Sequence, residues 1–149
     1  MWRFGITACA LAALALAEGF SFNIASPVAS HDFHFKGAAF VFRTQGCAES
    51  EKVSISGTAE GLVKGARRSV VLKITQASNP GVYAVFHEWP SEGDWVVNLK
   101  GTCGDATAGA IVPVGPKGFI RESSKFFSRT AKDTEIEAVL KSFTTGGEK

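Results

Sequence analysis

GVYAVFHEWPSEGDWVVNL, residues 81–99, sets the class of the fold. Tyr83, Val85, His87 and Trp89 alternate along its first half, and Trp95, Val97 and Leu99 alternate along its second. A period of two is the mark of side chains sharing one face of a sheet. Between the halves, Pro90-Ser91-Glu92-Gly93-Asp94 carries the proline and glycine that reverse a chain. The stretch predicts a β-hairpin with an acidic tip.

The flanks repeat the pattern. Residues 38–43, 51–58, 69–75 and 106–114 each alternate or run apolar, and Ser78-Asn79-Pro80-Gly81 is a turn leading into the hairpin. Gly57, Gly61 and Gly65 read as turns or bulges, and Pro113 assigns its strand to a sheet edge. Six or seven strands with no helical crossovers between them predict a mainly β protein. The expected architecture is an antiparallel, immunoglobulin-like two-sheet sandwich.

Near the end of the chain the period changes. Ile136, Val139, Leu140 and Phe143 stand at i, i+3, i+4 and i+7, the apolar stripe of a helix. Thr130 with Asp133 suggests a capped start and Gly146-Gly147 a stop, giving a short C-terminal amphipathic helix over 130–142. Its stripe needs a cover, and the second face of the hairpin, Val82, Ala84 and Phe86, is apolar enough to supply one.

Residues 1–17 join one basic residue, Arg3, to an apolar run ending in Ala15-Leu16-Ala17, the form of a cleavable secretory signal. The run is shorter than a membrane span, and no transmembrane segment is expected in the mature chain. Residues 18–36 read as an extended N-terminal arm on which Phe20, Phe22, Phe33 and Phe35 can dock. The domain follows over 37–143, with a flexible tail over 144–149. A secreted or periplasmic, soluble protein is the expectation. Cys9 would leave with the signal, so Cys47 and Cys103 pair most simply as one disulfide. With 16 Lys and Arg against 14 Asp and Glu the chain is near charge balance, which argues against nucleic acid as a partner.

Groups that carry chemistry are few. Of three histidines, His31 and His34 fall in the arm and His87 in the hairpin. The tip brings His87, Glu88, Glu92 and Asp94 close in sequence, a candidate metal site of one nitrogen and several oxygen ligands. There is no Gly-x-Ser-x-Gly, His-Glu-x-x-His, P-loop or dinucleotide fingerprint. Neither catalysis nor a cofactor is expected. Trp95 reads as core, covering the disulfide, whereas Trp89 beside the turn is a candidate contact residue. Lys117, Arg121, Lys125, Arg129 and Lys132 cluster against Glu122 alone, with Ile120, Phe126 and Phe127 interleaved. Cations around aromatics suit an anionic surface, so Lys117, Arg121, Lys125, Phe126, Phe127, Arg129 and Lys132 join Trp89 as the candidate partner surface. Arg67-Arg68 with Lys64 is a smaller patch of the same kind.

Gly81-x-Tyr83-x-Val85 followed by Trp89-Pro90-x-x-Gly93-x-Trp95-x-Val97 resembles a pattern of small exported bacterial immunoglobulin-like domains, the YtkA-like and FixH-like group. The resemblance implies a sandwich in the cell envelope, and some members of the group are linked to copper or respiratory-oxidase handling. This chain has no Met- and His-rich copper motif, Met1 being its one methionine, so no functional residue is carried across. The combined expectation is an exported non-enzymatic binding or structural module that meets a protein or another envelope component. The alternatives are a periplasmic metal-binding protein using the hairpin tip, or a small hydrolase.

Overall fold

A computed structural model describes residues 19–25, 35–115 and 118–146. The signal stretch, His31, Phe33, His34, Lys117 and the last three residues lie outside them. The protein is a sandwich of two antiparallel sheets with one C-terminal helix. The first sheet holds, in spatial order, β1 (Ser21–Ala25), β2 (Ala38–Gln45), β6 (Val82–Phe86) and β5 (Ile74–Gln76). The second holds β10 (Lys125–Phe127), β8 (Ala106–Gly115), β7 (Asp94–Cys103), β3 (Val53–Val63) and β4 (Ala66–Val71), with β9 (Gly118–Phe119) also paired to β8. The helix α1 spans Asp133–Gly146. Among the described residues ten strands replace the six or seven expected, because long predicted strands divide and short ones join at the edges.

The stretch that set the fold class does not form a hairpin. Its two strands belong to different sheets, β6 between β2 and β5 and β7 between β8 and β3, and residues 87–93 carry the chain from one sheet to the other. The reason lies in the burial. Tyr83, Ala84 and Val85 are all buried, as are all residues from Trp95 to Leu99, so neither strand has a solvent face. A strand covered on both faces sits in the middle of its sheet and has its two hydrogen-bonding edges occupied by other partners. Burial also pushes the Tyr83 phenol above its ordinary pKa, while its ring stacks on Phe42 at 5.2 Å.

The predicted strand over 69–75 divides in the same way. Its first part ends β4 in the second sheet, and after Leu72 and Lys73 the chain enters the first sheet as β5. Gly57 and Gly61 are not turns but interior positions of β3, facing Leu99 and Trp95, and only Gly65 forms a turn, with Lys64 between β3 and β4. Pro113 lies in β8, an interior strand rather than an edge. Its carbonyl accepts the Ile120 N–H at 2.8 Å, so the side on which its own N–H is missing faces the gap between β9 and β10.

The sandwich takes in part of the N-terminal arm. Ser21–Ala25 pairs with β2 as an edge strand and delivers Phe20, Phe22 and Ile24 to the main core, beside Phe40, Phe42, Val85, Val97 and Leu99. Phe35 is buried with Val41 and Ala84 on the outer face of the first sheet. That face is therefore already covered, and α1 does not pack on Val82, Ala84 and Phe86. Its stripe, Ile136, Val139 and Leu140, closes instead over Val96 and Ile111 on the outer face of the second sheet. Arg67 on β4 adds a polar pin, reaching Asp133 at 2.9 Å, Glu60 at 3.5 Å and Glu137 at 3.7 Å.

Cys47, just beyond β2, and Cys103, the last residue of β7, lie at disulfide distance with their Cα atoms 6.0 Å apart. The bond joins the two sheets at one end of the sandwich. Trp95 does not cover it, since it stands at the opposite end of β7, about 27 Å away along the strand at ~3.4 Å per residue.

Candidate functional site

Two concavities on the described surface bring polar chemistry together. The first is a seam. β1 and β10 are edge strands of the two sheets and meet on the same side of the sandwich. Between them lies a cleft of about 160 Å³ lined by Phe22, Asn23, Ile24, Arg121, Ser124 and Phe126. Arg121 Nη2 donates to the Ile24 carbonyl at 2.5 Å, tying the seam and occupying one acceptor of the β1 edge. Phe126 pairs with Ala110, whose side chain belongs to the inter-sheet core, but at the strand edge its ring stays 48% exposed. Lys125 is exposed too, but it pairs with Ile111 beneath α1, so strand alternation turns it to the outer face, and Glu122 is exposed one turn earlier. Two predicted partner residues, Arg121 and Phe126, are thus gathered at one rim.

The other predicted partner residues are placed elsewhere. Trp89 is 7% exposed and forms part of the main core, which corrects its reading as a contact residue. Phe127 turns to the opposite face and packs under α1. Arg129 and Lys132 build the start of that helix. Arg129 holds Glu135 by two hydrogen bonds, 2.6 and 3.1 Å, while its guanidinium lies 4.7 Å over the Phe127 ring. Glu135 also accepts the Lys132 N–H at 3.0 Å, the carboxylate half of a capping box. The expected Thr130–Asp133 cap is replaced by this arrangement, and the helix starts three residues later than its sequence suggests.

The hydrogen bond from Arg129, then that from the Lys132 backbone, holds the Glu135 carboxyl at about 2, well below its usual 4.5. A carboxylate depressed in the folded state stabilises above its unfolded pKa, and that stability is lost as pH falls through the folded value. Glu135→Gln is therefore expected to lower the melting temperature at pH 6, with the gap from the wild type closing between about 4.5 and 2. Melting curves across that range test this. A gap independent of pH would mean that the ion pair does not hold the helix start.

The tip residues do not converge. His87 is exposed and stacks on Trp89 at 4.2 Å. The Glu88 carboxylate accepts the Lys73 N–H at 3.0 Å, Glu92 faces Lys64 at 3.8 Å, and Asp94 opens β7. Among the described residues no three His, Cys, Asp or Glu side chains come together as a metal site requires. In the smaller basic patch Arg67 is held by carboxylates and Lys64 faces Glu92, while Arg68 is exposed.

The second concavity is larger. A groove of about 490 Å³ runs past the turn between β7 and β8 and the segment that links β10 to α1, lined chiefly by Phe20, Asp105, Thr107, Ser128, Arg129 and Thr130. The linker crosses β8 directly over Gly109, where a Cβ would collide with the Arg129 carbonyl. Sequence reading missed this groove, because its residues come from three separate segments and none forms a motif. No family model matches the chain, and no curated protein or solved structure is detectably similar to it.

Proposed function

We propose that this chain is an exported, non-enzymatic binding module of the cell envelope, and that it meets an anionic envelope component through the rim between β1 and β10. The observation that carries this reading is Phe126, exposed beside the Arg121 cation above a cleft lined by Phe22 and Ile24, with Lys125 exposed on the other face of the same edge strand. An exposed aromatic flanked by cations pairs apolar contact with attraction to negative charge. The secretory form of residues 1–17 supports the envelope address, and the resemblance of residues 81–97 to exported domains supports both that address and the immunoglobulin-like type of the sandwich.

Cosedimentation with envelope vesicles from the expression host is the direct test. The matured chain is expected to pellet with the vesicles at low ionic strength and to be released as salt shortens the range of the charge attraction. Phe126→Ser with Lys125→Glu is expected to stay in the supernatant while keeping the β-sheet circular dichroism of the wild type, since Lys125 is exposed and Phe126 is half-exposed on an edge strand. Pelleting unaffected by this pair of substitutions, or no pelleting of the wild type, would overturn the proposal.

A further inference from the structure

We infer that the groove at the start of α1 is a second binding site, for a neutral polyhydroxylated ligand of the saccharide class. At about 490 Å³ it has the size of a small-molecule site, whereas the cleft at the rim does not. Its donors and acceptors are mixed. Thr107, Ser128 and Thr130 bring hydroxyls that both give and accept hydrogen bonds, and the exposed Asp105 brings two acceptor oxygens.

Arg129 supplies the directional element. Its Nη1 bonds Glu135 and the Thr130 carbonyl, and its Nη2 gives one bond to Glu135. A guanidinium has five N–H donors, so Nε–H and the second Nη2–H have no partner among the described residues. These two lie parallel on one edge of the plane, a fork suited to neighbouring hydroxyl oxygens. Asp105 lines the same groove and accepts from hydroxyl protons, so a ligand with several hydroxyls can answer both.

Charge decides between a polyol and an ion. Glu135 compensates Arg129, which among the described residues lining the groove leaves Asp105 as the uncompensated charge and makes a carboxylate or phosphate ligand unfavourable. A cation would meet the donor edge of Arg129. The groove is also preorganised: the Arg129–Glu135 clip fixes the guanidinium, the linker is seated on Gly109, and the Cys47–Cys103 bond holds the strand leading into the Asp105 turn.

Saturation-transfer NMR on the full matured chain tests the inference, with maltose and N-acetylglucosamine oligomers as neutral probes and glucuronate as the anionic one. Saturable binding of a neutral probe is expected, with glucuronate weaker. Asp105→Asn is expected to weaken it about tenfold, the effect of losing a charge-assisted hydrogen bond, without moving the melting temperature. Phe126→Ser with Lys125→Glu is expected to leave it unchanged, so this site and the rim fail separately. No saturation by any neutral probe, glucuronate binding more tightly, or an Asp105→Asn variant that binds as the wild type does would each overturn the assignment.

Discussion

Trp95→Ala is expected to destabilise the protein by about 3–5 kcal/mol, a large share of the roughly 5–15 kcal/mol that holds a domain of this kind together. The indole is 2% exposed in the core between the sheets, and its Nε1–H donates to the Glu92 carbonyl at 2.8 Å. Truncation leaves a cavity in a close-packed interior and frees that carbonyl. The neighbour that makes room for the ring is Gly61, its partner across the β3–β7 ladder, where an added Cβ would lie 2.5 Å from the indole carbons. Gly61→Ala alone is therefore expected to cost about 1–3 kcal/mol through overpacking. In the Trp95→Ala background the same methyl enters the vacated space, and its cost is expected to vanish. Urea unfolding of the two single variants and the double one gives the coupling directly. Strictly additive costs would mean that the ring does not lie on Gly61 and that this register is wrong.

Removing the inter-sheet bond has an effect of similar size. Cys47→Ala with Cys103→Ala is expected to cost roughly 4 kcal/mol, because the link closes a loop with a sequence separation of 56 and so restricts the unfolded chain. It also connects the end of one sheet to the end of the other, which a reduced chain must hold by packing alone. Unfolding of the wild type with and without reductant is expected to reproduce the loss, with a steeper denaturant dependence in the reduced form as its unfolded state expands. A midpoint unmoved by reduction would show that the two sulfurs are not bonded in the folded protein.

Much of this architecture is legible from local pattern, and its connectivity is not. Alternation at 51–58 and the stripe from Ile136 to Phe143 identify elements, because each answers to one buried face. Residues 81–99 read as a hairpin because two strands joined by a Pro- and Gly-bearing turn usually pair. Burial of Val96, Asn98, Ala84 and their neighbours on the opposite faces records a different fact: both strands are central, and their partners come from distant segments. Period alone does not say which strand lies beside which. The strand at Ser21–Ala25 hid for a related reason, since its Phe22 and Ile24 alternate over only five residues.

The candidate site divides along the same line. Cations and aromatics at 117–132 stand out in the sequence, but alternation across β10 sends Phe126 to the seam and Phe127 beneath α1. Ion pairing then removes Arg129 from the free charge. The acidic tip is a cluster in sequence and not in space, because Glu88 and Glu92 answer to separate neighbours, the Lys73 N–H and Lys64. The Asp105 groove formed no motif: of its residues the sequence singled out Arg129, and for a different surface.

Hydrogen exchange of the matured chain, with and without envelope vesicles, reaches the central claim most directly. Slowed exchange is predicted over residues 21–25 and 118–127, the two sides of the rim, with the β4–β5 side of the sandwich unchanged. Protection confined to β4 and β5, or none at the rim when vesicles are present, would contradict the account.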